Sequence, residues 1–212
     1  MKRLVAYTCT LAVIALLATS EVCHAEELVH INFGLIPLGL GIAPDQEEYE
    51  AVSPTGSDRI AGEFHWAPEL FAGVDIRTPA SGGSAGIFVT EIMRTGLSGS
   101  LYGAELAYIL PHADNTEFLQ RLKVGAFYAD LDWEGDHTNV DFEETIGYQA
   151  GYAFDADLGQ GAVAIHCEVL YRQMEFDART GLCTQATSDT LDLSGVVLNL
   201  GVRFDFPVGG GE

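Results

Sequence analysis

The sequence predicts an all-β protein, an antiparallel up-and-down transmembrane β-barrel of about eight strands. Three observations carry that expectation. Apolar and polar residues alternate with a period of two through most of the chain after residue 26, in segments divided by Gly, Asp, Asn, Ser and Pro clusters. The scarce cations gather on the polar faces of those segments, interleaved with acids. Aromatic residues share the apolar faces and lie toward strand ends, where amphipathic rings suit the level of lipid headgroups.

The N-terminus, MKRLVAYTCTLAVIALLATSEVCHA, joins the cations Lys2 and Arg3 to an apolar run from Leu4 to Ala18 and closes on small residues at Cys23 and Ala25. This is the pattern of a secretory signal peptide, residues 1–25, cleaved after Ala25. A membrane anchor would need roughly 20 apolar residues, and the run is shorter. Ser20, Glu21 and Val22 give Cys23 a poor context for lipidation. Residues 26–212 read as a single domain, because no linker, charge block or tandem repeat divides them. The chain carries a net charge of −21, and removal of Lys2, Arg3 and Glu21 with the signal leaves −22. Such acidity repels phosphates and excludes nucleic acid as a partner.

No later apolar run is long enough for a spanning helix. An exported chain of this kind is either soluble outside the inner membrane or a closed barrel, since only helices and closed barrels satisfy every backbone group in lipid. Strands are expected near 28–36, 59–77, 84–94, 98–110, 119–132, 142–155, 161–176 and 190–206. In the clearest, Ile146, Tyr148, Ala150, Tyr152 and Phe154 share one face, opposite Thr145, Gly147, Gln149, Gly151 and Ala153. Val196, Leu198, Leu200, Val202, Phe204 and Phe206 likewise oppose Gly195, Val197, Asn199, Gly201, Arg203 and Asp205. The segment 84–94 has no clean parity, because Glu91 and Arg94 fall on opposite faces. Pro37 reads as a turn after the first strand, and Pro68 as a bulge inside the second.

Alternation alone does not separate a soluble sandwich from a membrane barrel; the content of the polar faces does. Eight Lys and Arg remain after the signal, and Arg77, Arg121, Lys123, Arg172 and Arg203 all fall on polar faces beside Glu69, Asp75, Glu105, Glu168 and Asp205. Charges in a closed interior need partners. The expected interior polar network is Glu105, Lys123, Gln149, His166, Glu168, Arg172, Asn199, Arg203 and Asp205, with Arg203 and Asp205 meeting Glu168 and Arg172 on the neighbouring strand.

Three segments, GYQAGYAF, RLKVGAFYADLDW and the closing NLGVRFDF, resemble the OmpA-like family of eight-stranded outer-membrane β-barrel proteins. In that family the last strand carries an assembly signal, which Asn199, Gly201, Phe204 and Phe206 match. The tail PVGGGE departs from members that end on the aromatic residue. The resemblance implies an outer-membrane location in a Gram-negative-type bacterium, with membrane lipids and the barrel assembly machinery as partners.

No catalytic or cofactor-binding motif stands out. The acidic segment DLDWEGDHTNVD sets Asp130, Asp132, Glu134, Gly135 and Asp141 on a calcium-loop spacing, but the flanks read as strands and position 12 is not Glu, so a solvated loop is expected. His166 with Glu168, and His65 with Glu63, have no accompanying nucleophile motif. Cys167 and Cys183 are expected to stay unpaired, since about 30 Å of strand separates Cys167 from the loop holding Cys183. The role expected is structural or surface-interacting, with a narrow pore as a variant of it. The alternative is a soluble secreted β-barrel or sandwich that binds a small apolar ligand.

Overall fold

The computed structural model describes residues 28–43, 49–60, 64–78, 81–111, 118–159, 162–179, 185–186 and 190–208. Glu63, Cys183, residues 209–212 and residues 1–27, which include the expected signal peptide, lie outside the described residues. Eight antiparallel strands form the wall: β1 (Leu28–Ile42), β2 (Phe64–Trp66 and Glu69–Arg77), β3 (Gly82–Arg94), β4 (Leu97–Ile109), β5 (Phe118–Glu134), β6 (Thr145–Asp157), β7 (Val163–Gln173) and β8 (Gly195–Val208). Each pairs with its neighbour in sequence, and β8 pairs back onto β1 from Val29↔Val208 to Ile42↔Val196. That last pairing closes the barrel and removes the sheet's edges.

The register sets the tilt of the strands. Partners lead from Ile31 through Val74, Ala85, Leu106, Val124, Ala150, Tyr171 and Val196 back to β1 at Ile42. Ile42 is eleven residues beyond Ile31, and the register shift between Leu35 and Leu38 absorbs one of them. A stagger of about ten residues at ~3.3 Å each, spread over eight strands ~4.8 Å apart, tilts the strands by about 40°.

The residues on that circuit all belong to the outer face, and the face is apolar. Ile31, Leu70, Ile87, Leu122, Val124, Val169 and Tyr171 are each half or more exposed. Along β8 the apolar row runs from Val196 to Phe206, and at ~3.3 Å per residue with ~40° of tilt it stands about 25 Å tall. Once the stagger is allowed for, Trp66, Tyr102, Tyr128, Tyr148 and Tyr171 fall within about 5 Å of one level.

Several strand limits differ from the sequence expectation. Pro37 is not a turn; it sits inside β1 at the register shift, where a missing N–H is tolerated, so β1 runs on to Ile42. β2 is interrupted at Ala67 and Pro68, where the Ala67 amide donates to the Gly39 carbonyl at 2.8 Å and the Glu91 amide to the Pro68 carbonyl at 3.0 Å. Residues 59 and 60 belong to a loop hairpin, Tyr49–Ser53 with Gly56–Ile60, to which Gln185–Ala186 adds a third strand. Thr190–Asp192 pairs with Glu175–Asp177 in a separate ribbon, so β8 begins at Gly195. Thr95 and Gly96 make the tight β3–β4 turn, with Gly96 at φ +75°.

The loop strands form because they cover an apolar cluster. Ile92, Leu97, Leu101, Phe127, Leu131 and Trp133 of the wall pack with Tyr49, Ile60, Val140, Phe142, Phe176, Leu191 and Leu193 of the loops. The inner face is therefore not polar throughout, as the alternation had suggested; its loop-side third is a hydrophobic core. On the wall side of this cluster, three inner phenylalanines lie opposite cross-strand glycines: Phe71 by Gly34, Phe88 by Gly103 and Phe127 by Gly147. A Cβ on any of these glycines would fall inside the facing ring. Gly103→Val should accordingly lower stability by about 1–3 kcal/mol through overpacking, whereas Gly83→Ala, where a Cβ meets nothing within 4 Å, should be near neutral. Equilibrium urea unfolding in detergent micelles would check both.

Candidate functional site: the charged lumen and its loop cap

Below the apolar cluster the lumen is filled by charged side chains that reach across it in three tiers. In the upper tier, Arg172 of β7 is fully buried and donates from Nη2 to Glu69 Oε2 at 2.8 Å and from Nε to Gln149 Oε1 at 2.8 Å. Thr90 Oγ1 donates to the same Glu69 oxygen at 2.7 Å. The Arg172 guanidinium also lies 5.9 Å from the Phe88 ring centroid and 5.8 Å from that of Phe127, so it joins the charged lumen to the apolar core above.

In the middle tier Lys123 Nζ sits between two acids, 2.7 Å from Glu168 Oε2 and 2.9 Å from Glu105 Oε2. Asn199 Nδ2 donates to Glu168 Oε1 at 2.5 Å. His166 Nδ1 is 2.5 Å from Asp155 Oδ1, and its Nε2 is 3.4 Å from Glu168 Oε2. In the lower tier Asp75 Oδ2 accepts from Arg77 at 2.7 Å, Arg203 at 2.7 Å and Arg121 at 3.0 Å, while Asn32 Nδ2 donates to Asp75 Oδ1 at 3.0 Å. Arg121 also pairs with Asp155, and Arg77 with Asp205, whose Oδ1 lies 3.2 Å from His30 Nδ1.

The nine residues expected as an interior network all lie at inner positions of the wall, but the partners of Arg203 and Asp205 differ from those expected. Arg203 and Asp205 do not meet Glu168 and Arg172; they meet Asp75 and Arg77 of β2, on the far side of the intervening β1. Adjacent strands carry neighbouring side chains to different heights because of the tilt, so long side chains find partners across the lumen. Asn32, Glu69, Asp75, Thr90, Arg121 and Asp155 belong to the same network. Parity alone put Glu69, Asp75 and Arg121 on the inner face, but nothing in the sequence ranked Asp75 as the acceptor of three arginines. Of the four residues that match the family's assembly signal in sequence, Asn199 and Gly201 face inward, whereas Phe204 stacks on Phe33 at 5.0 Å between centroids and Phe206 on the same ring at 5.7 Å. This stack spans the β1–β8 seam. Cys167 is a half-buried free thiol on the outer face.

The loop cap is tied together at Asp58. Its Oδ2 accepts from the His137 amide at 2.6 Å, the Thr138 amide at 2.7 Å and the Thr138 hydroxyl at 3.0 Å. Desolvation raises the pKa of this carboxyl, but those donors outweigh it and hold the group below its ordinary value of 3.8. The supposed calcium-loop residues Asp130, Asp132 and Glu134 lie on one exposed face of β5, with Asp141 opposite Asp132 in the ladder. Among the described residues no group of three or more His, Cys, Asp or Glu side chains is disposed to hold a metal ion. Desolvation, then repulsion from Asp130, Asp141 and Glu134, pushes the Asp132 carboxyl up.

An apolar outer face, a charged and cross-linked lumen and a closed eight-strand wall define the fold of outer-membrane β-barrels. The crystal structure of outer membrane protein OprG from Pseudomonas aeruginosa is similar, with a TM-score of 0.55 and 12% identity over 87% of this chain and 99% of that one. AlkL, solved in lipid bilayers, aligns with a TM-score of 0.48 and 12% identity over 91% of this chain and 96% of that one. Neisserial surface protein A aligns with 0.46 and 12%, over 83% and 96%. No protein-family model and no curated protein sequence matches the chain.

Two outcomes follow from the site. Arg172→Leu strands the buried Glu69 carboxylate and should cost about 3–5 kcal/mol, while Glu69→Leu combined with Arg172→Leu should recover most of that loss; urea unfolding of both variants in micelles measures it. Because the folded-state pKa of Asp58 is depressed, its anchoring of the cap is fully present above the unfolded value near 3.8 and is lost as pH falls through the lower folded value. The amide resonances of His137 and Thr138 should titrate in that acid range in the native protein and not in Asp58→Asn.

Proposed function

We propose that this protein is an integral outer-membrane β-barrel with a structural or surface-interaction role, built as a closed scaffold that carries an acidic loop cap into the medium. The observation that carries this reading is the level apolar band, about 25 Å tall, on the outside of a barrel whose inside is charged and paired. A soluble barrel that binds an apolar ligand needs the reverse arrangement, with charges outside and hydrocarbon within.

In this reading residues 1–25 direct export, and Asn199, Gly201, Phe204 and Phe206 mark the last strand for the barrel assembly machinery. The OmpA-like resemblance favours the same location, in a Gram-negative-type bacterium with membrane lipids around the wall. The side-chain filling of the lumen and the apolar core above it speak for a scaffold rather than a pore. The protein carries no cofactor and no catalytic role in this reading.

Membrane fractionation with heat-modifiable gel mobility tests the proposal. The chain should be found in the outer-membrane fraction, and its folded and boiled forms should migrate differently. Recovery as a freely soluble chain would sink the reading. In planar bilayers the folded protein should show no steady conductance, and reproducible unitary steps would replace the scaffold with a pore.

A further inference from the structure

The three tiers of the lumen do not balance their charges equally. In the upper tier the Glu69 carboxylate meets one guanidinium, that of Arg172. In the lower tier Asp75, Asp155 and Asp205 pair with Arg77, Arg121 and Arg203, three acids with three arginines. In the middle tier Lys123 stands between two acids, Glu105 and Glu168. Counted over the described residues, that tier is one positive charge short, in a space where an uncompensated carboxylate is costly.

His166 sits at that deficit. It is 1% exposed, and its ring lies 5.0 Å from the Phe71 ring between centroids. Its Nε2 is 3.4 Å from Glu168 Oε2 in the middle tier, and its Nδ1 is 2.5 Å from Asp155 Oδ1 in the lower tier. An ionised carboxylate only accepts hydrogen bonds, so each ring nitrogen needs a proton to bond the acid in front of it. A neutral imidazole has one proton to offer. Whichever nitrogen holds it, the other aims a lone pair at a carboxylate oxygen.

The other charged groups around the ring are Arg121 and Lys123 of β5, Arg203 of β8 and Glu105 of β4, with Asp75 of β2 behind the two arginines. Burial favours the neutral ring, as do Lys123 and Arg203, whereas Glu168 favours the charged one. The charge count decides between them. A neutral ring leaves six buried or half-buried carboxylates to five cations, and a charged ring leaves every tier neutral.

We propose that His166 is held as an imidazolium, the sixth cation of the lumen, and ties the middle tier to the lower one by donating to Glu168 and Asp155 together. Unlike the arginines, this counter-charge is removable by alkali, which leaves the two acids sharing a single donor. The assignment concerns the lumen alone and does not rest on the proposed membrane location.

The test is the 15N–1H correlation spectrum of the histidine side chains in the folded full-length barrel in detergent micelles at pH 8, with His166 assigned through its contact with the Phe71 ring. At that pH an ordinary histidine is only about 3% charged. The wild-type His166 ring should show both nitrogens protonated. Glu168→Gln removes the excess acid, so His166 should be neutral in that variant at the same pH. Should Glu168→Gln fail to fold, as heat-modifiable mobility would report, Glu105→Gln takes the same charge from the tier without touching the ring and should have the same effect. A neutral His166 in the wild-type barrel would overturn the proposal. An imidazolium that persists in the folded Gln variant would overturn it too, by showing that the missing counter-charge is not what holds the proton.

Discussion

A β-strand has two faces and no third, and that constraint organises this protein. At the level of Tyr102, Tyr128 and Tyr171 the same alternation changes its meaning. Below Tyr128, β5 turns Leu122, Val124 and Ala126 outward and Arg121 and Lys123 inward; above it, Asp130, Asp132 and Glu134 turn outward and Ala129, Leu131 and Trp133 inward. No residue is inserted at the crossing. What changes is the medium outside, from hydrocarbon to water in the proposed setting, so the apolar side of the strand moves from the wall's exterior to its core. The protein is an inside-out barrel carrying an ordinary hydrophobic core on top.

Turning charges inward makes them depend on one another. Asp75 is fully buried and tolerable because three guanidiniums surround it, and each of those arginines in turn needs the acid. Lys123 does the same work between Glu105 and Glu168, as Arg172 does beside Glu69. The tiers contact opposite walls, so the network braces the barrel across its diameter as well as filling it. A hydrophobic filling of similar volume could be equally stable.

The boundary between charged lumen and apolar core is built from rings lying on glycines. Phe88 can cross above Gly103, and Phe127 above Gly147, because no Cβ stands in the way. The rings close the lumen at that height and give the Arg172 guanidinium an aromatic surface to rest on. Below them the glycines and alanines of β2, β3 and β4 leave the wall bare, which is why the lumen has space on one side and salt bridges on the other.

The sequence by itself determined the class of fold, the strand count and the face to which most wall residues belong, because a period of two reports sidedness directly and depends on nothing distant in the chain. It placed Glu105, Lys123, His166 and Glu168 on inner faces for that reason. It misjudged Pro37, which parity could not tell from a turn, and it assigned residues 59–60 and 190–192 to the wall although they serve the loop cap. Only the tertiary structure decided that Arg203 meets Asp75 and that Arg172 meets Glu69. Those partners follow from a stagger of about ten residues around the closed ladder, which only the closing pairs of β8 with β1 define. The apolar cap likewise exists only after loops far apart in sequence meet, when Tyr49 and Phe142 come together over Trp133.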